Sequence, residues 1–210
     1  MAIRLIRYNL IIVIIFAQLF LQVGCKKNCQ HNEYVFNASA VISPIDDSIH
    51  VGDTILFTCA IPTTLLDEGT NRDIDYSNAE NMATDIHIVV PLIANPLPGA
   101  VDSFNFIAVA GAVQPHQSIP HSAKTVVFTQ ISGNYVLTFK MVALKRGIYT
   151  IAMIDVQNSK KNCSTAYINV PIRNADKHQQ YLQAVYYPGS PFGDTIPTIE
   201  RTHSYCFKVY

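Results

Sequence analysis

Between residue 34 and residue 210 the chain repeatedly alternates apolar and polar side chains, and Gly, Pro, Asn and Ser stand between most of the alternating runs. The clearest run places Ile55, Phe57, Cys59 and Ile61 on one side and Thr54, Leu56, Thr58 and Ala60 on the other. Successive side chains of a strand point to opposite faces, so this run reads as a strand with one face in a core. Strands are also predicted over residues 34–41, 86–92, 104–113, 124–131, 135–144, 147–156, 166–172 and 204–210. So many strands against one helical stretch predict packed sheets, a sandwich or barrel, rather than alternating βα units.

Two segments depart from the period of two. Residues 174–187 predict a helix: Asp176 and Gln179 are spaced as a capping box, Tyr181, Leu182, Val185 and Tyr186 share one face, and Pro188-Gly189 ends it. Residues 65–80 read as a long polar connection, in which Ser77 and Glu80 would cap a single helical turn. Long connections in compact domains often carry function, so Asp67, Asp73, Asp75 and Tyr76 are the expected binding loop.

The N-terminus sets the compartment. Arg4 and Arg7 precede an apolar stretch over residues 10–23 that is interrupted only by Gln18 and Gln22, and Leu21-Gln22-Val23-Gly24-Cys25 follows the pattern of a bacterial lipobox. The stretch is 14 residues long. As a helix it would reach about 21 Å, against roughly 30 Å for a bilayer core. The expected division is a lipoprotein signal peptide over 1–24, a lipidated Cys25 with a tether over 25–33, and one β-sandwich domain over 34–210. Lipidated Cys25 would hold the domain outside the cytoplasm, at the cell envelope and most readily at the outer membrane.

Cysteine usage fits that address. Of five cysteines, Cys25 would carry lipid, and Cys29, Cys59, Cys163 and Cys206 remain for up to two disulfides in an oxidising compartment. No pair in the mature fold is spaced for zinc. The competing reading of Cys59 is a free core thiol, since it shares its strand face with apolar residues. Charge excludes one class of partner: the whole chain balances 15 basic against 15 acidic residues, and loss of Arg4 and Arg7 leaves the mature part slightly acidic. With no long basic run, there is no electrostatic footprint for nucleic acid.

Lys145-Arg146-Gly147-Ile148-Tyr149, leading into a strand, resembles the turn before a late strand of immunoglobulin-like domains, where the Tyr hydroxyl bonds back to the turn. Val51-Gly52-Asp53-Thr54-Ile55 is similar to the second strand of such domains. The pattern departs at Ile151, where antibody-type domains carry Cys, and in the absence of Trp. The lipobox Cys, Val51-Gly52-Asp53-Thr54, Asp73-Ile74-Asp75-Tyr76-Ser77-Asn78-Ala79 and Tyr205-Cys206-Phe207-Lys208-Val209 together resemble a set of uncharacterised Bacteroidota lipoproteins over nearly all of the mature chain. The relaxed lipobox, with Leu at 21 and Gln at 22, is similar to those of the same group. The resemblance implies location and fold and transfers no catalytic residue.

Chemistry-bearing motifs are few. There is no G-x-S-x-G elbow, H-E-x-x-H helix, phosphate-cradling G-x-x-x-x-G-K or dinucleotide fingerprint. Asn71, Asp73, Asp75 and Asn78 offer oxygens without the Gly and closing Glu of a calcium loop. His116 and His121 flank Pro120 and are the nearest approach to a metal pair. Asp194, Glu200 and His203 lie near the last strand without a nucleophile. Asp47-Ser48-Ile49, Asp53-Thr54-Ile55 and Asp194-Thr195-Ile196 fit a short O-glycosylation pattern, with modification expected at Ser48 or Thr195. No cofactor or metal is expected. The expected function is a non-catalytic binding or structural module whose partners are the membrane and an envelope protein or polysaccharide. The alternatives are a secreted hydrolase built on Asp67, Asp73 and Asp75, and an adhesive, pilus-like subunit that would offer an open sheet edge.

Overall fold

The computed structural model describes residues 31–90, 99–174 and 202–210. Cys25, Cys29, the signal segment, Asp194, Thr195, Glu200 and all of the predicted helix except Asn174 lie outside the described residues. Asn32–Tyr210 forms one compact unit. Among the described residues no helix is long and apolar enough to cross a membrane.

In chain order the strands are β1 (Glu33–Asn37), β2 (Ala40–Ser43), β3 (Ser48–Ile49), β4 (Thr54–Pro62), β5 (Thr64–Asp67), β6 (Arg72–Asp75) and β7 (Ala83–Val89). They continue as β8 (Phe104–Ala110), β9 (Ala112–Pro115), β10 (Ala123–Val127), β11 (Thr129–Ile131) and β12 (Asn134–Ala143). The last four are β13 (Gly147–Met153), β14 (Val156–Lys161), β15 (Ser164–Asn169) and β16 (Ser204–Val209). One sheet has the order β3-β16-β13-β7-β10-β9 and a second the order β11-β12-β4-β2, with β8 also paired to β12. A smaller sheet is ordered β1-β15-β14, and β5 pairs only with β6. The molecule is mainly β, built from several sheets, as a sandwich requires.

The alternation read in the sequence is the alternation of burial. In β4, Ile55, Phe57, Cys59 and Ile61 are buried, and in the antiparallel β12 so are Tyr135, Leu137, Phe139, Met141 and Ala143. Phe57 faces Phe139 in register, with rings stacked 4.9 Å apart. Phe104 of β8 then meets Tyr149 of β13 at 4.9 Å and Phe207 of β16 at 5.8 Å, both edge-on. Rings from the two large sheets therefore share one core, and these offset and edge arrangements add about 0.5–1.5 kcal/mol each beyond area burial. The Tyr149 hydroxyl donates back to the carbonyls of Lys145 at 3.0 Å and Arg146 at 3.2 Å, the corner expected of it.

The region 65–80 corrects the sequence reading. β5 and β6 make a hairpin, and Ser77 to Glu80 hold no helical turn. Tyr76 is fully buried, with its hydroxyl donating to the Ser159 carbonyl at 2.8 Å. Tyr135 donates to the Tyr76 carbonyl at 2.7 Å and accepts from the Ala79 N–H at 2.6 Å. Polar sequence concealed this segment because its order comes from hydrogen bonds to distant strands rather than from an apolar face.

Of the four cysteines expected to supply up to two disulfides, two are corrected, Cys59 to the competing reading of a free core thiol. Cys59 and Cys206 are free, buried thiols. Cys59 lies on the core face of β4, and Cys206 sits 3.0 Å from the Thr150 hydroxyl. Burial pushes both thiols up to about 12. Cys163, in the turn between β14 and β15, is not one of the free thiols.

Candidate binding groove

The small β1-β15-β14 sheet carries the most developed surface. Alternation along β15 turns Ala166 and Ile168 inward and leaves Thr165, Tyr167 and Asn169 outward, facing Glu33, Val35 and Asn37 of the parallel strand β1. On the other side the ladder slips between Val156 and Ser159, so that two residues of β14 oppose Tyr167 alone. A bulge of this kind bends its strand and re-aims a side chain. Gln157, within it, is exposed beside Tyr167.

Two hollows open on this face, of about 420 and 350 Å³. They share Gln157 and Tyr167; Glu33 and Thr165 line the first, Asp155 and His203 the second. The Tyr167 ring, 40% exposed, therefore stands between them.

Asp155 fixes that ring. Its carboxylate is 7% exposed, accepts from the Val170 N–H at 2.8 Å and from the Tyr167 hydroxyl, and lies 3.1 Å from His203 Nε2. The hydrogen bond to Asp155, followed by burial and the carboxylate charge, pushes the Tyr167 phenol up to about 12, so it remains a donor at any physiological pH. His203 Nε2 also lies 3.0 Å from Asn169 Oδ1, and Nδ1 lies 2.8 Å from the Thr202 hydroxyl. Nε2 thus faces two oxygens and Nδ1 faces the Thr202 hydroxyl. Hydroxyl, imidazole and carboxylate thus stand in line, but the imidazole is reversed relative to a serine-hydrolase triad, in which Nε2 faces the hydroxyl.

The residues singled out from sequence lie elsewhere. Asp67 is an internal anchor, 1% exposed, accepting from the Val35 N–H at 2.9 Å, the Thr70 N–H at 2.9 Å and the Thr70 hydroxyl at 2.7 Å. Asp73 is on the surface. Asp75 accepts from the Ser77 N–H at 2.9 Å and pairs with Lys161 at 3.2 Å; the Ser77 hydrogen bonds, with Lys161 behind them, lower it to about 2. Tyr76 is in the core. Asp67 and Tyr76 thus point inward while Asp73 and Asp75 face solvent, so the four do not form one surface.

His116 and His121 do not meet as a pair. His116 lies 3.4 Å from Asp85, and His121 lies 2.7 Å from Asp102. Among the described residues no group of three or more His, Cys, Asp or Glu is arranged to hold a metal ion. Ser48 donates to Asp47 at 3.1 Å and Thr54 is exposed at the start of β4.

Sequence reading missed Asp155, Gln157 and Tyr167 and grouped His203 with Asp194 and Glu200 instead. The available signal was Asp155, a carboxylate inside the apolar run Met153-Ile154-Asp155-Val156. A charge in that setting must find partners, and its partners define the groove.

No known protein family and no curated protein matches the chain. Among solved structures, the chain is similar to the human F-spondin reeler domain at 9% identity, over 70% of this chain and 92% of that one, with a TM-score of 0.35. It is also similar to a type II cohesin domain from the cellulosome of Acetivibrio cellulolyticus at 11% identity, over 63% of this chain and 91% of that one, with a TM-score of 0.25.

Proposed function

We propose that this chain is a lipid-anchored, non-catalytic binding module of the bacterial cell envelope, tethered through Cys25 at the outer membrane and contacting its ligand through the Tyr167 groove. The observation that carries the binding half is Asp155, a buried carboxylate whose hydrogen bonds hold an exposed aromatic ring in place between two open hollows. A ring fixed in advance loses little freedom on binding, which is how recognition surfaces gain affinity. The carboxylates of the rival hydrolase reading do not converge: Asp67 is buried under the hairpin while Asp73 and Asp75 face solvent.

The lipobox supports the anchoring half. A single acyl chain holds a protein only marginally, whereas several chains, at about 0.8 kcal/mol per buried CH₂, hold it stably. An immunoglobulin-like sandwich belongs to the same reading and is supported by the Tyr149 corner. So does an oxidised Cys163: Cys59 and Cys206 are free, and Cys163 is not among the free thiols.

The anchor is tested by Cys25→Ala with palmitate labelling and membrane fractionation. Label and membrane association are expected to disappear, and label retained in the variant would overturn the tether. On the native full-length protein, Ellman's reagent is expected to find no reactive thiol, and two only after unfolding without reductant. Four would exclude any disulfide at Cys163. A fluorophosphonate probe is expected to leave Thr202 unlabelled, and labelling there would replace the module with a hydrolase.

A further inference from the structure

We infer that the Tyr167 groove binds a neutral polysaccharide, with sugar rings laid on the Tyr167 face and their hydroxyls taken by Gln157 and Thr165. The inference deepens the binding-module reading and rests on it. Charge selects the ligand first. Among the described residues lining the two hollows there is no Lys or Arg, while Glu33 and Asp155 are acidic. Phosphorylated, sulfated or uronate-rich chains would meet no Lys or Arg among these described residues.

Hydrogen-bonding chemistry selects next. Gln157 offers both donors and acceptors on a planar amide, and Thr165 a hydroxyl that does either. A sugar ring presents the same duality at every hydroxyl, together with an apolar C–H face suited to the flat of an aromatic ring. Thr165 and Tyr167 lie on one face of β15, two residues or about 7 Å apart at ~3.3 Å per residue. Polar and aromatic contacts are therefore side by side on a scale matched to one sugar and its neighbour.

Strand pairing at β15 bears on the main macromolecular competitor. A peptide adds to a sheet through an unpaired strand edge, by main-chain hydrogen bonds. At its centre the groove lies on β15, a strand paired on both sides, with β1 and with β14, so there it presents side chains instead of free backbone groups. The two hollows share Gln157 and Tyr167 as a common wall, so the Tyr167 ring is reached from both sides.

The test is native affinity electrophoresis of the full-length protein in a polyoxyethylene detergent, through gels containing soluble α-glucan, β-glucan, mannan, xylan or, as the anionic control, alginate. At least one neutral polysaccharide is expected to retard the protein, and alginate is not. Tyr167→Ala is expected to weaken retardation at least tenfold and Tyr167→Phe, which keeps the ring, about two- to threefold. Gln157→Ala removes an exposed amide, and is expected to lose binding with its melting curve unchanged. No retardation by any neutral chain, preference for alginate, or binding unaffected in both Tyr167→Ala and Gln157→Ala would overturn the inference. If no polysaccharide binds and a photocrosslinker placed at residue 165 captures a protein, the glycan is wrong and the module stands. If none binds and the fluorophosphonate labels Thr202, both readings fall.

Discussion

Tyr149 shows how much a single hydroxyl can organise. Its ring fills the space beside Phe104 and Phe207, and its hydroxyl reaches back to two carbonyls of the turn that delivers β13. Removing only the oxygen separates the two roles. Tyr149→Phe is expected to keep the core and lower stability by about 1 kcal/mol, the net worth of a partly buried hydrogen bond, read from the midpoint of urea unfolding at constant slope. An unchanged midpoint would mean that water serves those carbonyls equally well. This residue was legible in sequence because turn, Gly and Tyr are neighbours in the chain. Asp155 was not, because Tyr167 and His203 lie 12 and 48 positions away.

At the scale of elements, the β5–β6 hairpin depends on Asp67. Burial alone would raise its carboxyl, but hydrogen bonds from the Thr70 hydroxyl and the backbone N–H groups of Val35, Thr70 and Gly69 outweigh it and hold it below the ordinary 3.8. A carboxyl depressed on folding contributes stability that is complete above its unfolded value and is lost as pH falls through its folded one. Stability is therefore expected to decline as pH drops below 3.8, and Asp75, lowered to about 2, steepens the decline in the same direction. Asp67→Asn is expected to cost about 1–3 kcal/mol at pH 7, and the gap to the parent protein should close in acid. Equal pH profiles for the two proteins would remove Asp67 from this account. The sequence hid the hairpin because its strands are only four residues long, and it is tied down by the Asp67 side chain accepting from the Val35 backbone rather than by a repeating apolar face.

For the whole molecule, the stack of Phe57 on Phe139 and the ring contacts of Phe104 with Tyr149 and Phe207 make the two large sheets parts of one core. Phe139→Ala is expected to cost about 3–5 kcal/mol, with far-UV and near-UV signals lost in one transition. Two separate transitions would show that the sheets fold independently. The sequence by itself determined that the chain is mainly β and that Ile55, Phe57, Cys59 and Ile61 share a buried face. Each of these is written in residues close together in the chain, where the two-residue period of a strand and turn chemistry act. Only the tertiary structure decided that Cys59 and Cys206 remain free thiols, that Tyr76 is core and that Asp155, Gln157, Tyr167 and His203 share a groove. Those facts depend on which strands become neighbours, and strand order is set by the packing of the whole chain.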